Sequence, residues 1–218
     1  MPAGTITALK AQQRSKERVS VFLDGEYAFS LEAVAAAGLR IGQALSEAEA
    51  RALQEADSVA QAVNKAASFL AYRPRSVAEV RRSLAGKGFP DAVIDAALAR
   101  LTDLGYLDDR AFAAYWVDNR AQFKPLGARA LRYELRQHGV PAAIIEDALQ
   151  AVDAAASAYN AVASQRRRLR GSDRATFRAK AGAFLQRRGF AYDTIAEVLG
   201  RLMDEIDAED PAYFTDTD

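Results

Sequence analysis

One short phrase is written three times along this chain: Leu84 with Lys87, Gly88 and Phe89; Leu135 with His138, Gly139 and Val140; Leu185 with Arg188, Gly189 and Phe190. The glycines stand 51 and 50 residues apart, a period that belongs to tandem structural repeats rather than to a catalytic motif. Each phrase has the form of a helix ending. Glycine just past a helix enters the left-handed region without a Cβ clash, and the leucine before it then meets the apolar residue after it, as in a Schellman cap. Six, ten and thirteen residues beyond each glycine the chain is apolar again: Ile94, Leu98, Leu101; Ile145, Leu149, Val152; Ile195, Leu199, Leu202. These offsets lay one stripe along a second amphipathic helix in every copy. Three helices of roughly 12 to 16 residues bury their apolar faces poorly by themselves, so neighbouring copies are expected to stack. The fold expected is mainly α: elongated tandem three-helix repeats in three copies, behind a small N-terminal antiparallel β-hairpin/sheet module.

That module is legible in composition. Thr5 to Lys10, Arg18 to Leu23 and Glu26 to Ser30 are strand-like, with Val19, Val21 and Leu23 alternating against Arg18, Ser20 and Asp24. Asp24 and Gly25 supply the pair that a type I′ hairpin turn demands, and Gln12 to Lys16 form the other connection. A short helix is expected from Leu31 to Ala37, ended by Gly38, with a second break at Gly42. Ser46 with Glu49 and Ser76 with Glu79 have capping-box spacing. The Ala-rich stretch between them, up to Tyr72, reads as helix with an interruption near Asp57 and Ser58. Pro90 or Asp91 opens the next helix, Gly105 closes it, and Asp108 or Asp109 caps the one after. Pro141 suits a first helical position, and Gly171, Ser172 and Asp173 read as a loop. The boundaries expected are 1–45 for the hairpin module with its short helix, 46–107 for the first helical repeat with a leading helix, 108–152 for the second repeat, 153–206 for the third, and 207–218 for an acidic tail.

Composition excludes several function classes. The chain has no cysteine, which removes disulfides and thiolate metal sites, and one histidine, His138, which builds no metal site alone. There is no glycine-rich phosphate loop and no nucleophile matched to a histidine by motif. No catalytic residue, metal or cofactor is therefore assigned. No apolar run reaches the roughly 18 residues of a membrane span, and the N-terminus lacks the pattern of a signal peptide. A cytoplasmic, non-enzymatic monomer with no membrane partner is expected. Asp108 and Asp109 read as caps that oppose the helix dipole, and His138 sits comfortably at a helix C-terminus. Phe112, Tyr115 and Trp116 share a helix face and read as core, with Tyr115 or Trp116 a candidate to face a partner. Phe69, Tyr72 and Phe123 read as packing between helices.

Charge points toward binding. The formal net charge is zero, yet seven of the 29 acids lie after Met203 with no Lys or Arg among them, leaving 29 bases against 22 acids before that point. The acidic end reads as a solubilising tail, or as a segment that folds back on the basic surface. Arg73, Arg75, Arg81, Arg82 and Lys87 surround the first cap. Arg120, Lys124, Arg129, Arg132 and Arg136 line the second copy, the last three spaced as one ridge on a helix. The third copy is densest, with nine bases from Arg166 to Arg188 against Asp173, among them Arg167, Arg168 and Arg170. Arginine dominates, which suits bidentate contact with phosphates or carboxylates; the plainer reading is a solvated face with local ion pairs.

Arg73, Pro74, Arg75, Ser76, Glu79, Val80, Arg81, Arg82 and Leu84, then Gly105, Tyr106, Leu107, Asp108, Asp109, Phe112, Ala113, Trp116, Val117 and Arg120, resemble the signature of the RecX family. Lys124, Pro125, Gly127, Arg129, Leu131, Glu134, Leu135, Gly139 and Val140 continue the likeness. It is most specific over residues 60–150 and looser over the third copy, where Gly182 and Ala183 stand in place of Arg132 and Tyr133. The resemblance implies a bacterial protein that binds the RecA recombinase filament on single-stranded DNA. It also implies suppression of ATP hydrolysis, strand exchange and repressor-cleavage stimulation, within DNA repair, recombination and the SOS response. Single-stranded DNA, and double-stranded DNA as a further candidate, are the nucleic-acid partners implied. The competing expectation is a stand-alone DNA-binding helical module that acts without a recombinase.

Overall fold

A computed structural model of the chain describes residues 3–13 and 15–215. Its elements in order are β1 (Gly4–Gln12), β2 (Ser15–Leu23), β3 (Glu26–Glu32), α1 (Ala33–Ala36), β4 (Ala44–Leu45), α2 (Glu47–Leu70), α3 (Val77–Ala85), α4 (Asp91–Asp103), α5 (Asp109–Phe123), α6 (Ala128–Gln137), α7 (Ala142–Gln150), α8 (Ala154–Ala163), α9 (Arg166–Leu169), α10 (Arg174–Arg187) and α11 (Tyr192–Glu209). Backbone contacts divide the chain into two compact units, Met1–Arg73 with Val80–Leu107, and Pro74–Glu79 with Asp108–Asp218. The fold is mainly α, with three three-helix repeats behind a small antiparallel sheet.

In the first unit the sheet has the order β3-β2-β1-β4. Asp24 (φ 50) and Gly25 (φ 92) make the tight turn between β2 and β3, and Asp24 also accepts a hydrogen bond from the Thr5 amide at 3.0 Å. Pairing of β1 with β2 runs to Gln12 opposite Ser15, so the other connection is shorter than composition suggested. Ile6, Val21, Leu23, Phe29 and Leu31 bury one face against Ala36, Leu45 and Ala50. The short helix begins later than the sequence predicts, because Leu31 is committed to the sheet opposite Val19.

Helix α2 carries the Ser46–Glu49 capping box and runs unbroken for 24 residues. The interruption expected near Asp57 does not occur. Asp57 is buried and its carboxylate reaches across to the sheet, accepting from the Arg18 guanidinium at 2.8 Å and the Glu32 amide at 2.6 Å, and along its own helix from the Gln61 side chain at 2.7 Å. An aspartate breaks a helix by bonding its own backbone; here its acceptor capacity is taken up by the sheet instead.

All three phrase glycines have positive φ, at 83°, 80° and 84°. Each cap makes the paired bonds of a Schellman motif: Phe89, Val140 and Phe190 donate to the carbonyls of Leu84, Leu135 and Leu185, at 3.4, 3.1 and 3.3 Å. Those leucines are fully buried, as is most of the following stripe. Gly105 closes α4 in the same way, with the Tyr106 amide on the Leu101 carbonyl. Pro141 stands at the N-cap of α7 rather than inside it. Tyr72 and Phe123, expected between helices, are 85% and 71% exposed. Both lie at helix ends, off the apolar stripe, where the chain turns away.

Within the second unit two of these caps accept a further bond. The Ser76 hydroxyl, at the start of α3, donates to the carbonyl of His138 at 2.5 Å. The Gly127 amide, at the start of α6, donates to the carbonyl of Arg188 at 2.9 Å. His138 and Arg188 are the residues immediately before their cap glycines, so one joint is used twice. The second is so tight that a Cβ on Gly189 would lie 2.6 Å from the Ala130 nitrogen, and one on Gly127 would lie 2.3 Å from the Gly189 oxygen. Around Gly88, by contrast, nothing stands within 4 Å of an added Cβ. Gly88→Ala should therefore cost only the left-handed strain, about 1 kcal/mol. Gly189→Ala adds overpacking and should cost about 3 kcal/mol, as measured by urea unfolding of the two variants.

Candidate functional site

Helix α6 brings Arg129, Arg132 and Arg136 to one side, and the cap joint lays its start against the end of α10. Flanking this joint is a hollow of about 620 Å³, lined among others by Arg129, Arg132, Arg178, Gly182 and Tyr192. A second, of about 520 Å³, is lined by Lys124, Leu126, Arg129, Tyr133 and Arg187. A third, of about 340 Å³, carries Arg168, Lys180, Phe184 and Arg187. Arg129 belongs to the first two hollows and Arg187 to the last two, so they form one continuous basic surface over the second and third repeats.

Local ion pairs decide which of these cations is available. Arg132 grips Glu146 through two bonds of 2.7 Å, which raises the guanidinium pKa and lowers that of the carboxyl. Glu134 is held by Arg120 at 2.7 Å and by the Trp116 indole at 2.8 Å, with the Arg120 guanidinium 4.3 Å over the Trp116 ring. Arg136 is exposed beside Glu146. Lys124, Arg129, Arg168, Arg178, Lys180 and Arg187 are exposed and make no ion pair among the described residues. Arg129 gives one bond to the Gln186 carbonyl, 3.1 Å away.

The remaining residues singled out in the sequence fare differently. Arg75 lies 3.6 Å from Glu79, and Arg81 pairs with Asp95 at 2.5 Å. Arg73 is half-buried, while Arg82 and Lys87 are exposed in the first unit. Arg166 binds Glu209 at 2.7 Å and Arg170 binds Asp210 at 2.5 Å; Arg174 binds Asp207. Arg167 is exposed beside them. Arg188, at the joint, donates to the Pro125 carbonyl at 3.0 Å, and burial pushes its pKa down.

The acidic end is not a loose tail over residues 207–215. Helix α11 continues to Glu209, Ile206 is fully buried, and Tyr213 and Phe214 pack on Phe177. The Tyr213 hydroxyl donates to the Arg166 carbonyl at 2.5 Å, and Glu205 accepts from Tyr159 at 2.6 Å and Arg201 at 2.8 Å. The fold-back reading describes this arrangement, except that the segment is part of the third repeat's core. Residues 216–218 lie outside the described residues.

The two aspartates divide the capping work. Asp108 accepts from the Arg110 and Ala111 amides at 2.7 and 3.2 Å, while Asp109 turns to the Val77 amide at 2.9 Å. His138 packs 4.2 Å from the Trp116 ring, and its Nδ1 lies 3.5 Å from Glu79. Phe112 is buried, Trp116 partly so, and Tyr115 is 41% exposed. Sequence reasoning missed Tyr133 and Tyr192, which are 65% and 85% exposed on the basic hollows. Their available signal was position: each falls off the apolar stripe of its helix. Among the described residues no group of three or more His, Cys, Asp or Glu side chains could hold a metal, and no helix is long and apolar enough to cross a membrane.

Four family descriptions match in order: the regulatory protein RecX N-terminal domain over residues 4–46, and the first, second and third RecX three-helix domains over 62–101, 108–149 and 153–199. A regulatory protein RecX of Bacillus licheniformis is 35% identical over 89% of this chain and 76% of its own length. The chain belongs to the RecX family. The RecX of Prosthecochloris aestuarii is 41% identical over 66% of this chain and 94% of its own. A crystal structure of a regulatory protein RecX superposes with a TM-score of 0.71, at 27% identity, covering 90% of this chain and 98% of that one. RecX from Lactobacillus salivarius, at 22% identity and a TM-score of 0.63, shares the fold over 68% of this chain and 98% of its own. The basic surface thus lies on the second and third RecX three-helix domains.

Burial raises the Asp109 pKa, so the ionised form is penalised in the folded state and its contribution to stability falls as pH rises through that raised value. Asp109→Asn keeps an acceptor for Val77 and should preserve stability at neutral pH. Asp109→Ala orphans the amide and should cost ~1 kcal/mol in urea unfolding. Tyr213→Ala should cost ~3 kcal/mol, while Asp207→Asn with Glu209→Gln should cost under ~1 kcal/mol, because those pairs face solvent.

Proposed function

We propose that this protein is a non-enzymatic regulator of the RecA recombinase, acting as a cytoplasmic monomer on the RecA filament assembled on single-stranded DNA. It restrains ATP hydrolysis, strand exchange and stimulation of repressor cleavage, and so tunes DNA repair, recombination and the SOS response. One observation carries this reading: six cations without carboxylate partners among the described residues lie on one surface spanning two repeats. A recombinase filament repeats at fixed spacing and carries phosphates, so a protein with tandem contact units engages several points at once and gains affinity by multivalency. Membership of the RecX family supports RecA as the partner. The surface cations supply contacts to protein carboxylates or to the DNA backbone.

Titrating the purified protein onto RecA filaments should inhibit ATPase and strand exchange at or below equimolar amounts. The triple variant Arg129→Ala, Arg178→Ala, Arg187→Ala should need at least roughly ten-fold more protein for the same inhibition, since each charged contact is worth about 1 kcal/mol or more. Unchanged ATPase and strand exchange with the unaltered protein would overturn the reading.

A further inference from the structure

The third repeat differs from the first two at one pair of matched positions. Seven residues before the cap glycine the first two copies place Arg81 and Arg132; seven residues after it they place Asp95 and Glu146. In each copy these two side chains meet, at 2.5 Å and 2.7 Å, and close the space between the second and third helices of the repeat. The third copy has lost both partners. Gly182 and Ala196 occupy the two positions. A Cβ on Gly182 would meet only the Leu199 and Ile195 side chains, at 3.7 and 3.8 Å. Where the other copies carry an ion pair, this one leaves an apolar recess lined by Gly182, Ala196, Ile195 and Leu199, with Arg178 and Tyr192 also on its wall.

The recess adjoins the larger basic hollow, and the residues around it share a chemistry. Tyr192 is exposed beside Arg178, and Tyr133 is exposed on the adjoining hollow with Lys124, Arg129 and Arg187. Glu146 is already taken up by Arg132 and Glu134 by Arg120. What remains is positive charge interleaved with two accessible aromatic faces. A polyanion with regularly spaced charges and flat apolar groups between them matches that pattern. Single-stranded nucleic acid has this form. Duplex DNA does not, because its base faces are covered by their own neighbours.

We propose that the junction of the second and third repeats is a base-stacking site for single-stranded DNA. Bases lie on the rings of Tyr133 and Tyr192, one of them over the Gly182–Ala196 recess, while Lys124, Arg129, Arg178 and Arg187 hold the flanking phosphates. The proposal rests on the reading above for single-stranded DNA as a ligand, but it makes the site a property of the protein without recombinase.

The test uses the full chain and no RecA, with fluorescence anisotropy on a labelled oligothymidylate of about twenty nucleotides and on a duplex of equal length. The unaltered protein should bind the single strand more tightly than the duplex. Tyr133→Ala and Tyr192→Ala should each weaken the single strand roughly ten-fold and leave the duplex and the salt dependence unchanged. The Tyr→Phe variants should restore binding. Arg178→Ala and Arg187→Ala should each reduce the slope of log affinity against log salt by about one. The double variant Gly182→Arg, Ala196→Glu rebuilds the ion pair of the other copies at constant net charge; it should stay folded by circular dichroism and lose single-strand affinity. Equal affinity for both DNA forms, no effect of the Tyr→Ala changes, Tyr→Phe variants as weak as Tyr→Ala, or displacement by polyglutamate as effective as by oligonucleotide would each overturn the proposal. Filament ATPase assays on the same variants separate the two ideas. Inhibition by variants whose DNA binding ignores the tyrosines sinks the stacking site alone, whereas tyrosine-dependent DNA binding by a protein that leaves RecA unaffected sinks the regulatory reading alone.

Discussion

The carbonyls just before Gly139 and Gly189 each accept a hydrogen bond from far up the chain, and the packing of the second unit depends on those two bonds. At these helix ends the Schellman bonds go to the carbonyls of Leu135 and Arg136, and of Leu185 and Gln186, and leave the carbonyl before the glycine open. Across the joint it accepts a hydrogen bond from the start of the preceding repeat's middle helix, from Ser76 to His138 and from Gly127 to Arg188. A carbonyl exposed at a helix end needs a partner in any case. Supplying that partner from the neighbouring repeat converts a local requirement into a positional one. At the second joint Gly127 and Gly189 let the two backbones approach directly, which brings α6 and α10 close enough for Arg129, Arg178 and Arg187 to share a surface.

Arginine in this chain is largely a structural residue. Arg18, Arg75, Arg81, Arg120, Arg132, Arg166, Arg170, Arg174 and Arg201 all face carboxylates within 4 Å. Exposed pairs of this kind contribute little stability each, but they remove cations from the set free to bind anything else. The densest basic run in the sequence, Arg166 to Arg174, is the clearest instance. Three of its guanidinium groups are met by acids from the end of α11 and the turn after it, and Arg170 and Arg174 also lie over the rings of Tyr213 and Phe214.

The parts of the structure that the sequence announced are those whose bonds close within a few residues. The capping boxes at Ser46 and Ser76, the Asp24–Gly25 turn and the three Leu-to-apolar caps are all satisfied by near neighbours, so residue type and spacing suffice to predict them. The errors share an opposite cause. Asp57 looked like a helix breaker because its partner Arg18 is 39 residues away. Tyr72 and Phe123 looked like core because hydrophobicity says nothing of which side of a helix end the chain leaves by. Residues 207–215 looked like a tail because charge composition does not reveal that Tyr213 and Phe214 join a core.

The sequence by itself determined three helical repeats, their caps, the N-terminal sheet and the resemblance to RecX proteins, since each rests on periodicity or on contacts short along the chain. Only the tertiary structure decided which cations remain available and where they gather. Pairings such as Arg166 with Glu209, or Gly127 with Arg188, join residues 43 and 61 positions apart. Charge acts through space and is cancelled through space, so a count of arginines along the chain could not say which of them still face solvent unopposed.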